Sequence, residues 1–158
     1  MRTERLSAPT PGEVRRLVLA DHAALRGRLA RAVRYAESIS LGESTPPDAL
    51  RAAVRSLARL LHAHLDLEDA ILAPALIASG AWGEACAARL GADHALQREW
   101  IAELRALALD RNGPPRLLAD TLLVLAAALR DDMEAEERDL LREDFLRDDV
   151  IAIDAATS

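Results

Sequence analysis

Apolar residues recur at steps of three and four along most of the chain, and the pattern breaks only at clusters of Pro, Gly, Ser and Asn. Pro9, Pro11 and Gly12 precede a first helical segment, roughly Glu13 to Ser38. Gly42 and Thr45-Pro46-Pro47-Asp48 separate it from a second, roughly Asp48 to Ala78. Ser79-Gly80 ends that one, and a third runs from about Trp82 to Asp110. Asn112-Gly113-Pro114-Pro115 is another firm stop, and the fourth segment runs from about Pro115 to Glu143. No β-type alternation occurs. Four helices of similar length with short connections predict an all-α, up-down-up-down four-helix bundle over about 13–143. An N-terminal extension (1–12) and an acidic, partly apolar tail (144–158; Phe145, Leu146, Val150, Ile151, Ile153) complete a single domain.

Each helix carries one core-facing seam. The seams are Val14, Val18, His22, Leu25, Leu29, Val33; then Leu50, Val54, Leu57, Leu61, His64, Glu68, Leu72, Ala75. The third is Ala87, Leu90, His94, Gln97, Ile101, Leu104, Ala108, and the fourth Leu118, Leu122, Leu125, Leu129, Asp132, Glu136, Leu140. Every seam is apolar except where His, Asp, Glu or Gln interrupts it. A lone buried carboxylate is costly, so such groups are normally paired or bound to metal. Counted from the helix ends of an antiparallel bundle, His22, Glu68, His94 and Asp132 fall in one layer, roughly 12–20 Å deep at 1.5 Å per residue.

The interruptions also repeat. Asp21-His22-Ala23-Ala24-Leu25-Arg26 is echoed by Asp93-His94-Ala95-Leu96-Gln97-Arg98. Leu61, His64, Glu68 and Leu72 match Leu129, Asp132, Glu136 and Leu140 at one constant offset. Two copies of one helix pair, related by a pseudo-twofold axis, suit two metal ions bridged by carboxylates. An i, i+4 spacing places both side chains of a pair on one helix face. Imidazole with carboxylate suits iron or manganese, with zinc also compatible. The candidate ligands are His22, His64, Glu68, His94, Asp132 and Glu136. Each alone has a plainer reading: His22 as a core histidine, His64–Glu68 as a surface pair, Asp132–Glu136 as part of a solvated acidic face. His62 stands about 200° around the helix from His64 and reads as flank. Gln97, one turn past His94, reads equally as a hydrogen-bond partner of the site or as a structural Gln.

Composition narrows the classes. At 158 residues the chain is one domain's worth, and net charge is −6, with 26 acidic against 20 basic residues, giving no case for nucleic-acid binding. Every basic residue is Arg, which excludes a P-loop or a Schiff-base lysine. The single Cys86 argues against a thiolate metal site, and no secretion signal or membrane-length apolar run is legible. The expectation is a reduced, cytoplasmic compartment and no membrane partner. A homodimer is compatible with the sequence.

At these residues the chain resembles the hemerythrin-like family, the cation-binding bundles built on a His, a His-x-x-x-Glu, another His and a second His-x-x-x-Glu. The matching stretches are Asp21-His22, His64-Leu65-Asp66-Leu67-Glu68 with Leu72 and Pro74, Asp93-His94, and Asp132-Met133-Glu134-Ala135-Glu136 with Leu140 and Leu141. The resemblance implies an oxo- or hydroxo-bridged di-iron centre that binds or senses oxygen, peroxide or nitric oxide, or handles iron. Asp132 stands where the family has a His. That departure argues against simple oxygen carriage and leans toward carboxylate-rich di-iron chemistry, or toward a single metal. Three functions compete: a metal protein that binds a small oxidant, with Glu68 and Glu136 as bridges; an oxidase or peroxidase on the same centre, which needs a substrate-sized cavity; and a helical interaction module without metal.

Overall fold

The computed structural model of the chain describes residues 8–148. Its helices are α1 (Pro11–Ser40), α2 (Pro47–Leu67), α3 (Ala73–Ala78), α4 (Ala81–Leu109) and α5 (Pro115–Asp139), and a π-helical turn, Glu68–Leu72, joins α2 to α3 in one rod. No strand occurs among the described residues. Asp21 meets His64, Ser40 meets Asp120, and Asp69 meets His94. Trp100 and Ala128 line one groove. Neighbouring rods therefore run antiparallel, and the expected up-down-up-down bundle is what forms. Val150, Ile151 and Ile153 of the expected tail lie outside the described residues.

Local chemistry sets the helix ends. Thr10 caps α1 through a capping box: its Oγ1 accepts from the Glu13 amide at 3.3 Å, and its own amide donates to Glu13 Oε2 at 2.8 Å. Pro11, Pro47 and Pro115 each occupy a first helical turn, where a missing amide costs nothing. Gly80 turns the chain into α4 at φ 106°, a conformation only glycine adopts freely. Gly83 lies so close to α3 that a Cβ would come within 1.9 Å of the Leu76 carbonyl oxygen. Arg51 is buried at the far end, donating to the carbonyls of Asp110 and Gly113 at 3.2 and 3.0 Å and so pinning the α4–α5 connection.

Two departures from the periodicity have physical causes. Pro74 has no amide, and its ring would clash with the carbonyl one turn back. The chain answers with the π turn just before it, where the Ala73 amide reaches Glu68 O, five residues back. The wider turn moves the seam, so Leu76 is buried where Ala75 was expected, and Ala75 is only half-buried. The fourth helix, expected to reach Glu143, stops at Asp139. The amides of Leu140 and Leu141 both turn to Glu136 O, and the chain then folds back to bury Leu141 and Leu146. Burying a leucine is worth about 2 kcal/mol, which outweighs another exposed turn of helix.

The interior falls into two apolar clusters. The larger fills the bundle from Leu25, Leu61 and Leu129 toward the α1–α2 and α4–α5 connections. The smaller gathers Val14, Val18, Leu72, Leu76, Leu90, Leu141 and Leu146 at the other end. Between them lies a buried polar layer.

Candidate metal centre

Four helical rods supply the layer. His22 comes from α1, His64 from α2, Glu68 from the π turn, His94 and Gln97 from α4, and Glu136 from α5, each at most 6 % exposed. Ligand atoms of His22, His64, Glu68 and Glu136 all lie within 4.8 Å of one another. Glu68 is the hub. Its Oε1 lies 3.3 Å from His22 Nε2, and its Oε2 lies 3.4 Å from His64 Nε2 and 3.1 Å from His94 Nε2. His22 Nε2 is also 3.2 Å from Glu136 Oε2. All three imidazoles therefore turn Nε2 inward.

Their outward nitrogens are each tied to a carboxylate. His22 Nδ1 meets Glu137 at 2.9 Å, His64 Nδ1 meets Asp21 at 2.8 Å, and His94 Nδ1 meets Asp69 at 2.7 Å. A carboxylate on Nδ1 fixes the ring and leaves Nε2 as the basic, metal-facing atom. Two of these acids are themselves held: Arg26 donates to Glu137 and Arg98 to Asp69, both at 2.7 Å. The relays His22–Glu137–Arg26 and His94–Asp69–Arg98 are one motif repeated by the pseudo-twofold. Asp21, Asp69 and Glu137 lie off the seams and carry no role in the seam pattern. The signal was present: each neighbours a layer residue in sequence, and each supports a histidine on a different helix.

The protonation pattern reflects two acids buried among three imidazoles. Burial pushes the Glu68 carboxyl up, but hydrogen bonds from His22 and His94 and the charge of His64 outweigh it and hold it at about 2. Burial and the charges of Glu68 and Asp132 raise Glu136 to about 7 against its bond from His22. Burial disfavours the His22 cation, yet its bonds to Glu136, Glu68 and Glu137 prevail and lift it to about 10. Among the described residues no Arg reaches Glu68 or Glu136, and Glu136 Oε2 is buried without a well-aligned donor, the His22 contact notwithstanding. Three inward Nε2 atoms, two buried carboxylates and one orphaned oxygen make a donor set that fits a multivalent cation, with protons holding its place at His22 and Glu136.

The fourth corner differs. Asp132 is only half-buried and, like His94, lies outside the mutually close group; its Oδ2 accepts a short, 2.5 Å hydrogen bond from Gln97 Nε2. Burial raises its pKa, with the charges of Asp93 and Glu68 adding to the effect and the Gln97 bond opposing it. The α5 seam drifts here, so that Met133 is buried in place of Asp132. His62 is half-buried on the flank, as its angle predicts. Trp82 stacks edge-on against Phe145 at 4.5 Å, and Trp100 borders a surface groove. No helix among the described residues is long and apolar enough to cross a membrane.

Residues 14–143 match the family model described as the hemerythrin HHE cation binding domain. No curated protein and no solved structure matches the chain.

Proposed function

Because the chain belongs to the hemerythrin HHE cation-binding domain family, we propose that its layer holds iron, two ions in the loaded protein, and that it binds or senses a small oxidant such as oxygen, peroxide or nitric oxide, or handles iron. One observation carries this reading: three imidazoles, each fixed from outside by a carboxylate, aim Nε2 at buried Glu68, with buried Glu136 beside His22, and among the described residues no Arg reaches either acid. His22, His64, Glu68, His94 and Glu136 would hold the ions, with Glu68 and Glu136 central enough to be shared. Asp132 would join from the rim. Bound iron would supply redox chemistry and an open coordination position.

The chain's own residues do the rest. Asp21, Asp69 and Glu137 orient the rings and make them better donors, while the two apolar clusters above and below keep bulk water from the layer. His22 and Glu136 release the protons that a cation displaces. Zinc or manganese suits the same donors, but the number of anionic oxygens favours iron in a higher charge state. The non-metal reading leaves protons on His22 and Glu136 as the counter-charge of the paired acids, a role that one multivalent cation fills outright.

Metal analysis of protein produced in iron-supplemented medium tests the proposal, together with its absorption spectrum. About two iron ions per chain and an oxygen-to-iron band in the near ultraviolet are expected. Colourless, iron-free protein would sink it. A dedicated oxidase or peroxidase remains the second reading, favoured by a cleft of about 420 Å³ between α4 and α5 whose wall includes Asp132 and Glu136.

A further inference from the structure

The pseudo-twofold fails at one corner, and that corner is where the layer meets the outside. In the first half the corner is His64, held by Asp21, with Leu25 on the wall of the same small void. Its counterparts in the second half are Asp132, Asp93 and Gln97. A carboxylate replaces the imidazole, so Asp93 faces a like charge instead of an N–H, and an amide replaces the leucine. Asp132 is consequently drawn to Gln97 on α4.

Cavities converge on this pair. A small internal void of about 10 Å³, room for roughly one water, is bounded by His64, Gln97, Asp132 and apolar side chains of the larger core. On the outer side lie a groove of about 130 Å³, also bounded by Gln97 and Asp132, and the cleft of about 420 Å³ that reaches Asp132 and Glu136. Asp132 touches all three spaces. The α4–α5 seam is also the loosest of the four neighbouring helix pairs. On the opposite side, the groove between α1 and α2 (about 300 Å³, lined by Arg28, Tyr35 and Ala53 among others) includes none of the layer residues.

Resting on the iron reading above, we infer that small polar ligands reach the layer through the α4–α5 seam, and that the Gln97–Asp132 hydrogen bond closes the branch leading from the outer groove to the void beside His64. Rotation of two side chains opens the path without moving a helix. Polar ligands are admitted in preference to apolar gases, because the last barrier is a donor–acceptor pair. Gln97 is therefore a positioning residue, acting through Asp132.

Azide binding to the iron-loaded full chain, followed by stopped-flow absorption, tests this. Ala135→Phe and Ala128→Phe would fill the cleft and the groove from α5. Each is expected to slow association about tenfold or more, with iron content and melting temperature preserved. Gln97→Ala removes the closure and is expected to speed association about fivefold. Ala53→Phe, in the α1–α2 groove, serves as the control and leaves the rate alone. Rates within about twofold of the parent for all three seam variants, or slowing by the control, would overturn the inference. Iron content is read first: an iron-free parent chain removes the proposed function and this inference together, whereas an iron-loaded chain with unmoved rates removes only the access route.

Discussion

The layer has three corners built one way and a fourth built another. At His22, His64 and His94 an imidazole is gripped from outside by a carboxylate at 2.7–2.9 Å, and the inward nitrogen is left free to bind. At Asp132 the outer acid, Asp93, has no ring to grip, and the Asp132 side chain turns to a neighbouring amide instead. The same backbone plan thus yields rigid donor positions and one adjustable position, and the difference lies in side-chain chemistry together with the drift of the α5 seam that leaves Asp132 half-buried. Rigidity comes from the second layer of contacts, which is where the two kinds of corner separate.

The largest expected effect comes from cutting those grips. Asp21→Asn, Asp69→Asn and Glu137→Gln keep shape and remove charge, and each is expected to weaken metal binding by about 10- to 100-fold in a chelator competition. Asp93→Asn is expected to stay within about threefold, since Asp93 holds no ring. Equal losses at all four positions would erase the distinction between the corners.

Next in size is the attempt to make the corners alike. Asp132→His restores the imidazole of the repeat opposite Asp93, as His64 stands opposite Asp21. The second ion should then bind about tenfold more tightly, and the iron-to-chain ratio should approach two at lower supplied iron. No change in either would mean that the α5 backbone holds position 132 too far out for any side chain to complete the site.

The asymmetry also explains what was legible beforehand. Periodicity gave the helices and the seam positions of His22, His64, Glu68, His94 and Glu136, because a residue's helical angle follows from its number. Each of these is buried in the layer. Three things were not legible. The π turn arises from a clash between Pro74 and a carbonyl, which no apolar count records, and it displaced the seam from Ala75 to Leu76. The early end of α5 depends on Leu141 and Leu146 finding cover beside Val14 and Val18, a contact across the length of the chain. The supporting acids sit off the seams at half-exposed positions, where a carboxylate looks like ordinary surface until the neighbouring helix is in place.

Acidity gives a smaller, signed test on the metal-free protein. Glu136 ionises at about 7 when folded against an ordinary 4.5, so folded chains keep a proton that unfolded chains have lost, and stability falls as pH rises through that window. His22, lifted from 6.5 to about 10, acts in the same direction: its contribution is complete below 6.5 and gone once pH passes 10. Glu68 acts oppositely, but only at the acid end, where its contribution fades as pH falls from about 4.5 through 2. Metal-free protein should therefore melt higher at pH 5 than at pH 8, by roughly 5 °C. Loading should reverse the order, because the cation takes the place of the protons on His22 and Glu136. A metal-free melting temperature that climbs from pH 5 to pH 8 would contradict the assignment of charge in the layer.

The smallest effect lies one step farther out, where the relays end. Arg26 holds Glu137 and Arg98 holds Asp69, each partly open to solvent. Solvent screening limits what such pairs contribute, so Arg26→Gln or Arg98→Gln should weaken metal binding only about two- to fivefold. The value of the pair lies in its symmetry. Arg98 also bonds Asp66, at 3.1 Å, so its removal frees two acids where Arg26 frees one. If charge near the layer were what mattered, Arg98→Gln would strengthen cation binding by leaving more negative charge behind. If ring orientation matters, both variants weaken it, and the double variant weakens it by about the product of the two. Chelator competition at two salt concentrations separates these outcomes, because the charge effect is screened and the orientation of a buried imidazole is not.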